Sequence, residues 1–257
     1  MTDFSPRLSR IATISHGFGN KSALLPDCLK PYQASQANKK QVHGIQIVDV
    51  TEVGQACGEA DGLYTTQAGI LLSVLTADCL PIIFSQRHGK GVAVVHAGWR
   101  GLLEGIVLQM VERISRDDNP TNWVAAIGPA ARSCCYEVNE ELVERFMNEL
   151  PLAKHIISPR FRHLNLAAIA EHQLRNAGIQ QIDRVGSCTI CTTYTVCTTY
   201  TVCTTCTVCT ATQESEGEHP PQFKYTSFRR TSQQQAIDPT HPGIRGRNQY
   251  SGVVILP

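Results

Sequence analysis

Two imidazoles and a thiol, at His43, Cys79 and His96, are the side chains here with the most evident chemical potential. Imidazole nitrogen and thiolate sulfur form a borderline-soft donor set that suits zinc or copper, and three protein donors leave a fourth position for water or substrate. The gaps of 36 and 17 residues match no short metal-binding pattern, so position carries more weight than spacing. Each of the three stands where an apolar run meets a polar or glycine-bearing turn, which could gather them at one rim. A buried structural cysteine with two hydrogen-bonded histidines accounts for the same residues. So does a cysteine hydrolase with Cys79 as nucleophile and His96 as base, a reading that a bound metal would exclude by occupying the thiolate.

The elements that must position these groups are visible as apolar periodicities. Ile45 to Val50 alternates as a half-buried strand does, with His43 just before it. Ile70 to Leu75 and Pro81 to Phe84 read as buried strands flanking the polar Thr76-Ala77-Asp78-Cys79. Gly91 to Val95 predicts another, ending in His96-Ala97-Gly98-Trp99-Arg100-Gly101, after which Leu102, Leu103, Ile106, Val107, Met110, Val111 and Ile114 recur at helical spacing. Further strands are predicted over Trp123 to Ile127, Ile182 to Val185 and Val253 to Leu256, and helices over Val138 to Leu150 and Leu164 to Ala177. Strands mixed with helices in this order predict an α/β (α+β) layered fold.

The bulk numbers bound the rest. A chain of 257 residues with 42% hydrophobic content can bury one large core, and a single domain over 1–257 is expected. The formal charge of +1 gives no reason to expect a nucleic-acid or membrane partner. Residues 1–10 lack the apolar run of a secretory signal, so a cytoplasmic protein is expected. Six of the eleven cysteines crowd between Cys188 and Cys209, where 186–209 divides into four tandem hexamers, two of them Thr-Thr-Tyr-Thr-Val-Cys. The run is far longer than a usual strand of about 5 or 6 residues, so 192–222 is expected to form a loop or hairpin insertion. Its two-residue Cys gaps resemble thiolate zinc sites, but local duplication of one hexamer accounts for them. Cys134 and Cys135 are adjacent, so opposite side-chain directions and a structural role are expected of them.

Five ordered motifs carry a family resemblance: Gln41-Val42-His43-Gly44, Ala60-Asp61-Gly62-Leu63, Thr76 to Pro81, His96 to Gly101 and Ile127-Gly128-Pro129. With Cys135-Tyr136-Glu137-Val138, Leu164-Asn165-Leu166, Cys188-Thr189, Ser227-Phe228-Arg229-Arg230 and Gly246-Arg247, they resemble the YfiH-type, or laccase-domain, family over nearly all the chain except its first 40 residues and the hexamers. Ser15 to Gly19 resembles that family's early turn. The resemblance implies a single-domain layered sandwich of mixed β-sheets covered by helices, and one zinc ion, or copper, on His43, Cys79 and His96. It implies a purine nucleoside phosphorylase acting on adenosine, inosine or methylthioadenosine, with adenosine deamination as a second activity. Copper-dependent polyphenol oxidation and the editing of peptidoglycan precursors are the other activities it suggests. Deamination suits the trio, because zinc lowers the pKa of bound water to about 7 and Asp78 could shuttle the proton. Phosphorolysis needs an anion holder, for which Arg100 on its glycine turn is the candidate. Gln41, two residues before His43, and Arg229 are candidate substrate contacts. The expected partners are a nucleoside and phosphate, and a monomer or homodimer is expected.

Overall fold

The computed structural model describes residues 2–194 and 221–257. Its strands are β1 (Ile14–Phe18), β2 (Asn38–Lys40), β3 (Ile47–Asp49), β4 (Ala56–Glu59), β5 (Gly62–Thr65), β6 (Leu72–Thr76), β7 (Leu80–Gln86), β8 (Val92–Ala97), β9 (Trp123–Ile127), β10 (Gln181–Arg184) and β11 (Gln249–Ile255). The α-helices are α1 (Trp99–Glu104), α2 (Ile106–Ser115), α3 (Glu140–Glu149), α4 (Lys154–Ile157), α5 (Leu166–Asn176) and α6 (Phe228–Ile237).

A six-stranded mixed sheet, ordered β10-β9-β7-β8-β5-β3, forms the middle layer. Its side chains alternate between faces with the strand period of two. Ile82 and Phe84 of β7, Ala93 and Val95 of β8, and Trp123, Ala125 and Ile127 of β9 face a cluster built with Leu102, Ile106, Met110, Ile169 and Leu174 of the helices. Ile83, Val92, Val94, Val124 and Ala126 point the other way. There they pack on Phe18, Leu72, Val74 and Val253 of the antiparallel sheet β1-β11-β6. Helices, six-stranded mixed sheet and three-stranded antiparallel sheet thus make three layers, the α/β layered fold that the periodicities predict, arranged as the sandwich covered by helices that the family resemblance implies. Burial on both faces explains why β8 reads as a continuous apolar run. The parallel pair β2-β4 stands apart from both sheets.

The structure corrects several sequence expectations. The helix expected from Leu102 to Ile114 is two helices, because Gly105 adopts a left-handed conformation with φ of 94° that ends α1 and begins α2. The early turn expected at Ser15 to Gly19 is largely strand β1, paired antiparallel with β11 from Ile14 opposite Ile255 to Phe18 opposite Ser251. Helix α6 has no counterpart in the sequence reading. Of the insertion expected over 192–222, residues 195–220 lie outside the described residues. The segments bordering them pair with each other: Tyr194 N–H donates to Gln222 O at 2.7 Å and Lys224 N–H to Thr192 O at 2.9 Å.

Candidate metal centre

The ligand atoms of His43, Cys79 and His96 all lie within 4.8 Å of one another. Three separate elements bring them there. His96 is the penultimate residue of β8, Cys79 immediately precedes β7, and these neighbouring strands pair so that Leu80 stands opposite Ala97. His43 comes from the loop between β2 and β3 and holds φ of 62°, in the left-handed region that a non-glycine residue adopts only when its surroundings impose it. Its ring meets that of His96 edge to face, with centroids 4.8 Å apart. His96 is buried, Cys79 is half-buried and His43 is exposed, so the trio opens to solvent on the His43 side.

The buried Asp61 imposes this geometry. Its Oδ1 accepts from His43 N–H at 3.0 Å and Oδ2 from Val42 N–H at 3.0 Å and Gly44 N–H at 2.9 Å, which folds the loop around one carboxylate. Oδ1 also lies 2.7 Å from His96 Nδ1. This bond fixes Nδ1 as the protonated nitrogen and leaves Nε2 with its lone pair, the arrangement found behind metal-binding histidines. Burial pushes the Asp61 carboxyl up, but the bonds from His96 and from the Val42 and Gly44 amides outweigh it and hold it below the usual range. Partial burial and the neighbouring His96 ring, with a further contribution from Arg100, hold the His43 imidazole below its ordinary value despite the pull of Asp61. The histidine is thereby kept neutral.

Two glycines leave room for the cluster. A Cβ on Gly98 would sit 2.8 Å from His43 Cδ2 and 3.3 Å from Cys79 Sγ, and one on Gly101 would sit 2.8 Å from Gly44 O. The start of α1 therefore packs directly on the His43 loop. Donors of a four-coordinate zinc with bonds of about 2.0–2.3 Å lie roughly 3.3–3.8 Å apart. The three ligand atoms need only a short inward movement to reach that spacing, so the residues fit a zinc or copper ion. Without an ion, burial and then the charges of Asp78 and Asp61 push the Cys79 thiol up to about 12.

Arg100 is exposed in the first turn of α1, with its guanidinium 5.1 Å from the Trp99 ring centroid. Arg229, on α6, stacks over Tyr136 at 5.0 Å and donates to Glu137 O. Tyr136 is not among the site residues that the sequence suggests, yet burial, with the Cys79 charge next, pushes its phenol up to about 12. Asp78, with φ of 92°, has both carboxylate oxygens engaged by protein donors: Oδ1 accepts from Thr189 Oγ1 at 2.6 Å, and Oδ2 from Ser227 Oγ at 3.0 Å and Arg229 N–H at 2.8 Å. Gln41 lies in the loop rather than on a strand, and its amide clips onto Leu75, donating to the carbonyl and accepting from the N–H, each at 2.8 Å. Asp61 is a further site residue, which the sequence shows only as part of the Ala-Asp-Gly-Leu motif.

Cys134 and Cys135 depart from expectation. They lie in a helical turn, in which the N–H groups of Cys135 and Tyr136 both donate to Arg132 O at 2.9 Å. Successive side chains in such a turn are separated by about 100° rather than 180°, and both sulfurs converge on Cys188 and Cys191.

The family model described as multi-copper polyphenol oxidoreductase laccase matches residues 20–195. A purine nucleoside phosphorylase of Rickettsia conorii is 35% identical over 153 residues, 58% of this chain and 63% of that protein. The purine nucleoside phosphorylase YfiH of Escherichia coli K12 is 36% identical over 152 residues, 58% and 62% of the respective lengths. The matched part thus spans somewhat under two thirds of these relatives. The crystal structure of YlmD from Geobacillus stearothermophilus superimposes with a TM-score of 0.69 at 23% identity, covering 98% of this chain and 94% of the other. A Neisseria meningitidis structure gives 0.71 at 19% identity, covering 100% and 99%. These two likenesses show the fold.

Proposed function

Since the chain belongs to the multi-copper polyphenol oxidoreductase laccase family, we propose that it is a zinc-dependent purine nucleoside phosphorylase that also deaminates adenosine. One observation carries the reading: the ligand atoms of His43, Cys79 and His96 converge within 4.8 Å on a side that is open at the exposed His43. A structural zinc is enclosed by four protein donors, whereas three donors with an open side suit an ion that meets substrate. The names of the curated relatives supply the substrate class.

His43, Cys79 and His96 hold the ion. When bound, it supplies Lewis-acid polarisation of an oxygen or nitrogen of substrate or water. Asp61 keeps His96 in the binding tautomer and His43 in place. Arg100, exposed beside His43, offers the positive charge that a phosphate needs. In phosphorolysis a phosphate oxygen bonds to C1′ of the ribose, the C1′–N9 bond breaks, and its electron pair leaves with the purine, which takes up a proton. Tyr136, protonated up to about pH 12, can donate a hydrogen bond to that base, and Arg229 stacked on it adds charge to the same wall. Asp78 and Gln41 act as positioning residues, because their polar atoms are engaged by Thr189, Ser227, Arg229 and Leu75.

Two other readings have less support. Among the described residues one candidate cluster contains histidine, and several coppers would demand more imidazoles than it offers. A Cys79 nucleophile would need a depressed pKa, whereas burial raises this thiol to about 12. The test is to incubate the zinc-loaded protein with adenosine, with and without phosphate, and to separate the products. Adenine and ribose 1-phosphate that form only with phosphate, and vanish in Cys79→Ala, support the proposal. Product formation undiminished in a zinc-free Cys79→Ala would sink it.

A further inference from the structure

Beyond that centre, the described residues hold one other group able to take a metal ion: Cys134, Cys135, Cys188 and Cys191, whose sulfurs all lie within 4.8 Å of one another. Two turns build it. The Arg132–Tyr136 turn contributes the adjacent pair Cys134 and Cys135. The second turn, closed by Thr192 N–H donating to Cys188 O at 3.1 Å, contributes Cys188 and Cys191 at a Cys-x-x-Cys spacing. The turns are registered on each other, since Thr189 N–H donates to Ala130 O at 3.1 Å and Ala130 bridges Cys188.

We propose that these four cysteines bind a zinc ion as a closed tetrathiolate site. Four sulfurs placed tetrahedrally around zinc with bonds of about 2.3 Å lie roughly 3.8 Å apart. Cys134 Sγ and Cys191 Sγ are 3.8 Å apart. The second support is charge. A divalent ion with four thiolates carries a net charge of about −2, which must be balanced when half-buried. Two arginines are fixed beside it, one at the start of the first turn and one bonded to the second. Arg132 Nη2 donates to Gly128 O at 3.0 Å and Val185 O at 3.3 Å, and Arg230 Nη1 to Thr189 O at 2.8 Å and Ile190 O at 2.7 Å. Arg132 stands two residues before Cys134, and the carbonyls that hold Arg230 lie between Cys188 and Cys191, so both guanidiniums are placed next to the sulfurs.

The site braces the wall of the first centre. Tyr136 directly follows Cys135, and Thr189, which directly follows Cys188, holds Asp78 beside Cys79. A zinc ion would lock the two turns together and fix both residues.

The test counts zinc in Cys79→Ala, which lacks a ligand of the first centre and so separates this inference from the proposed activity. After dialysis against metal-free buffer, elemental analysis of the folded Cys79→Ala protein is expected to find one zinc per chain. Its cobalt-exchanged form should show the intense visible and near-ultraviolet bands of tetrahedral tetrathiolate cobalt. Adding Cys188→Ser should remove both signals. Replacing Cys197, Cys203, Cys206 and Cys209 together with serine should leave them unchanged. Folded Cys79→Ala without zinc, an intact mass short of the two hydrogens of a disulfide among the four cysteines, or loss of the ion with the four repeat cysteines would overturn the assignment.

Discussion

Replacing Asp61 with asparagine changes one atom's identity and little volume, yet the hydrogen-bond geometry predicts that it damages the metal centre whichever way the new amide points. The carboxylate accepts from four donors: His43 N–H and His96 Nδ1 at Oδ1, and the amides of Val42 and Gly44 at Oδ2. If the amide nitrogen replaces Oδ1, it donates to His96 Nδ1 and drives the proton to Nε2, where it blocks the ion, while His43 N–H faces another donor. If it replaces Oδ2, the Val42 and Gly44 N–H groups face a donor and the loop carrying His43 must move. The loss of a supporting carboxylate of this kind costs about 10–100-fold in metal affinity, or roughly 1.4–2.7 kcal/mol. Asp61 is fully buried, so each donor left facing a donor costs a further ~1–3 kcal/mol of stability. Zinc affinity of wild type and Asp61→Asn is compared by competition with a chromophoric chelator, alongside a thermal melt of each metal-free protein. A folded Asp61→Asn variant with wild-type zinc affinity would refute the reasoning.

Four further outcomes are expected. Gly98→Ala places a methyl against His43 and Cys79; overpacking of this kind costs about 1–3 kcal/mol, and chelator competition should show weaker zinc binding with helix content unchanged. Asp78→Ala leaves Thr189 Oγ1, Ser227 Oγ and Arg229 N–H without their acceptor; the melt should fall by the equivalent of about 1–3 kcal/mol. Burial pushes His16 down from 6.5 to about 4, and its Nε2 accepts from Ser5 N–H. The unfolded chain therefore takes up this proton first: the contribution is complete above about pH 6.5 and is lost as pH falls towards 4, by up to about 3 kcal/mol. Denaturant melts should show that slope in wild type and a flatter one in His16→Gln, which keeps an acceptor for Ser5. Because Thr192 and Tyr194 pair with Gln222 and Lys224, replacing 195–220 with a short turn should leave stability unchanged or raise it by up to about 2 kcal/mol through the shorter loop, as read by the midpoint of a urea melt.

The sequence was most informative where one periodicity met one burial pattern. The β8 run, its glycine turn and the apolar repeat after it predict strand, turn and helix because that strand is buried on both faces and the helix on one. Helix α6 could not be found that way, since it buries no residue and has no apolar stripe; Ser227, which caps it by accepting from Arg230 N–H, was the available signal. The three candidate ligands were legible as types at element ends, but the left-handed backbone of His43 was not, because it is imposed by a carboxylate 18 positions later in the chain. Convergence of Cys134 and Cys135 on Cys188 and Cys191 was hidden for a similar reason. It depends on a helical turn and on a contact between segments more than 50 residues apart in sequence.

The central claim, an ion held by His43, Cys79 and His96, is tested most directly by anomalous diffraction at the zinc edge from crystals of the zinc-loaded protein. The account predicts an anomalous peak about 2.0–2.3 Å from one ligand atom of each of the three residues, with His96 binding through Nε2 because Asp61 holds Nδ1. Zinc-loaded crystals with ordered His43, Cys79 and His96 side chains and no peak between them would contradict it.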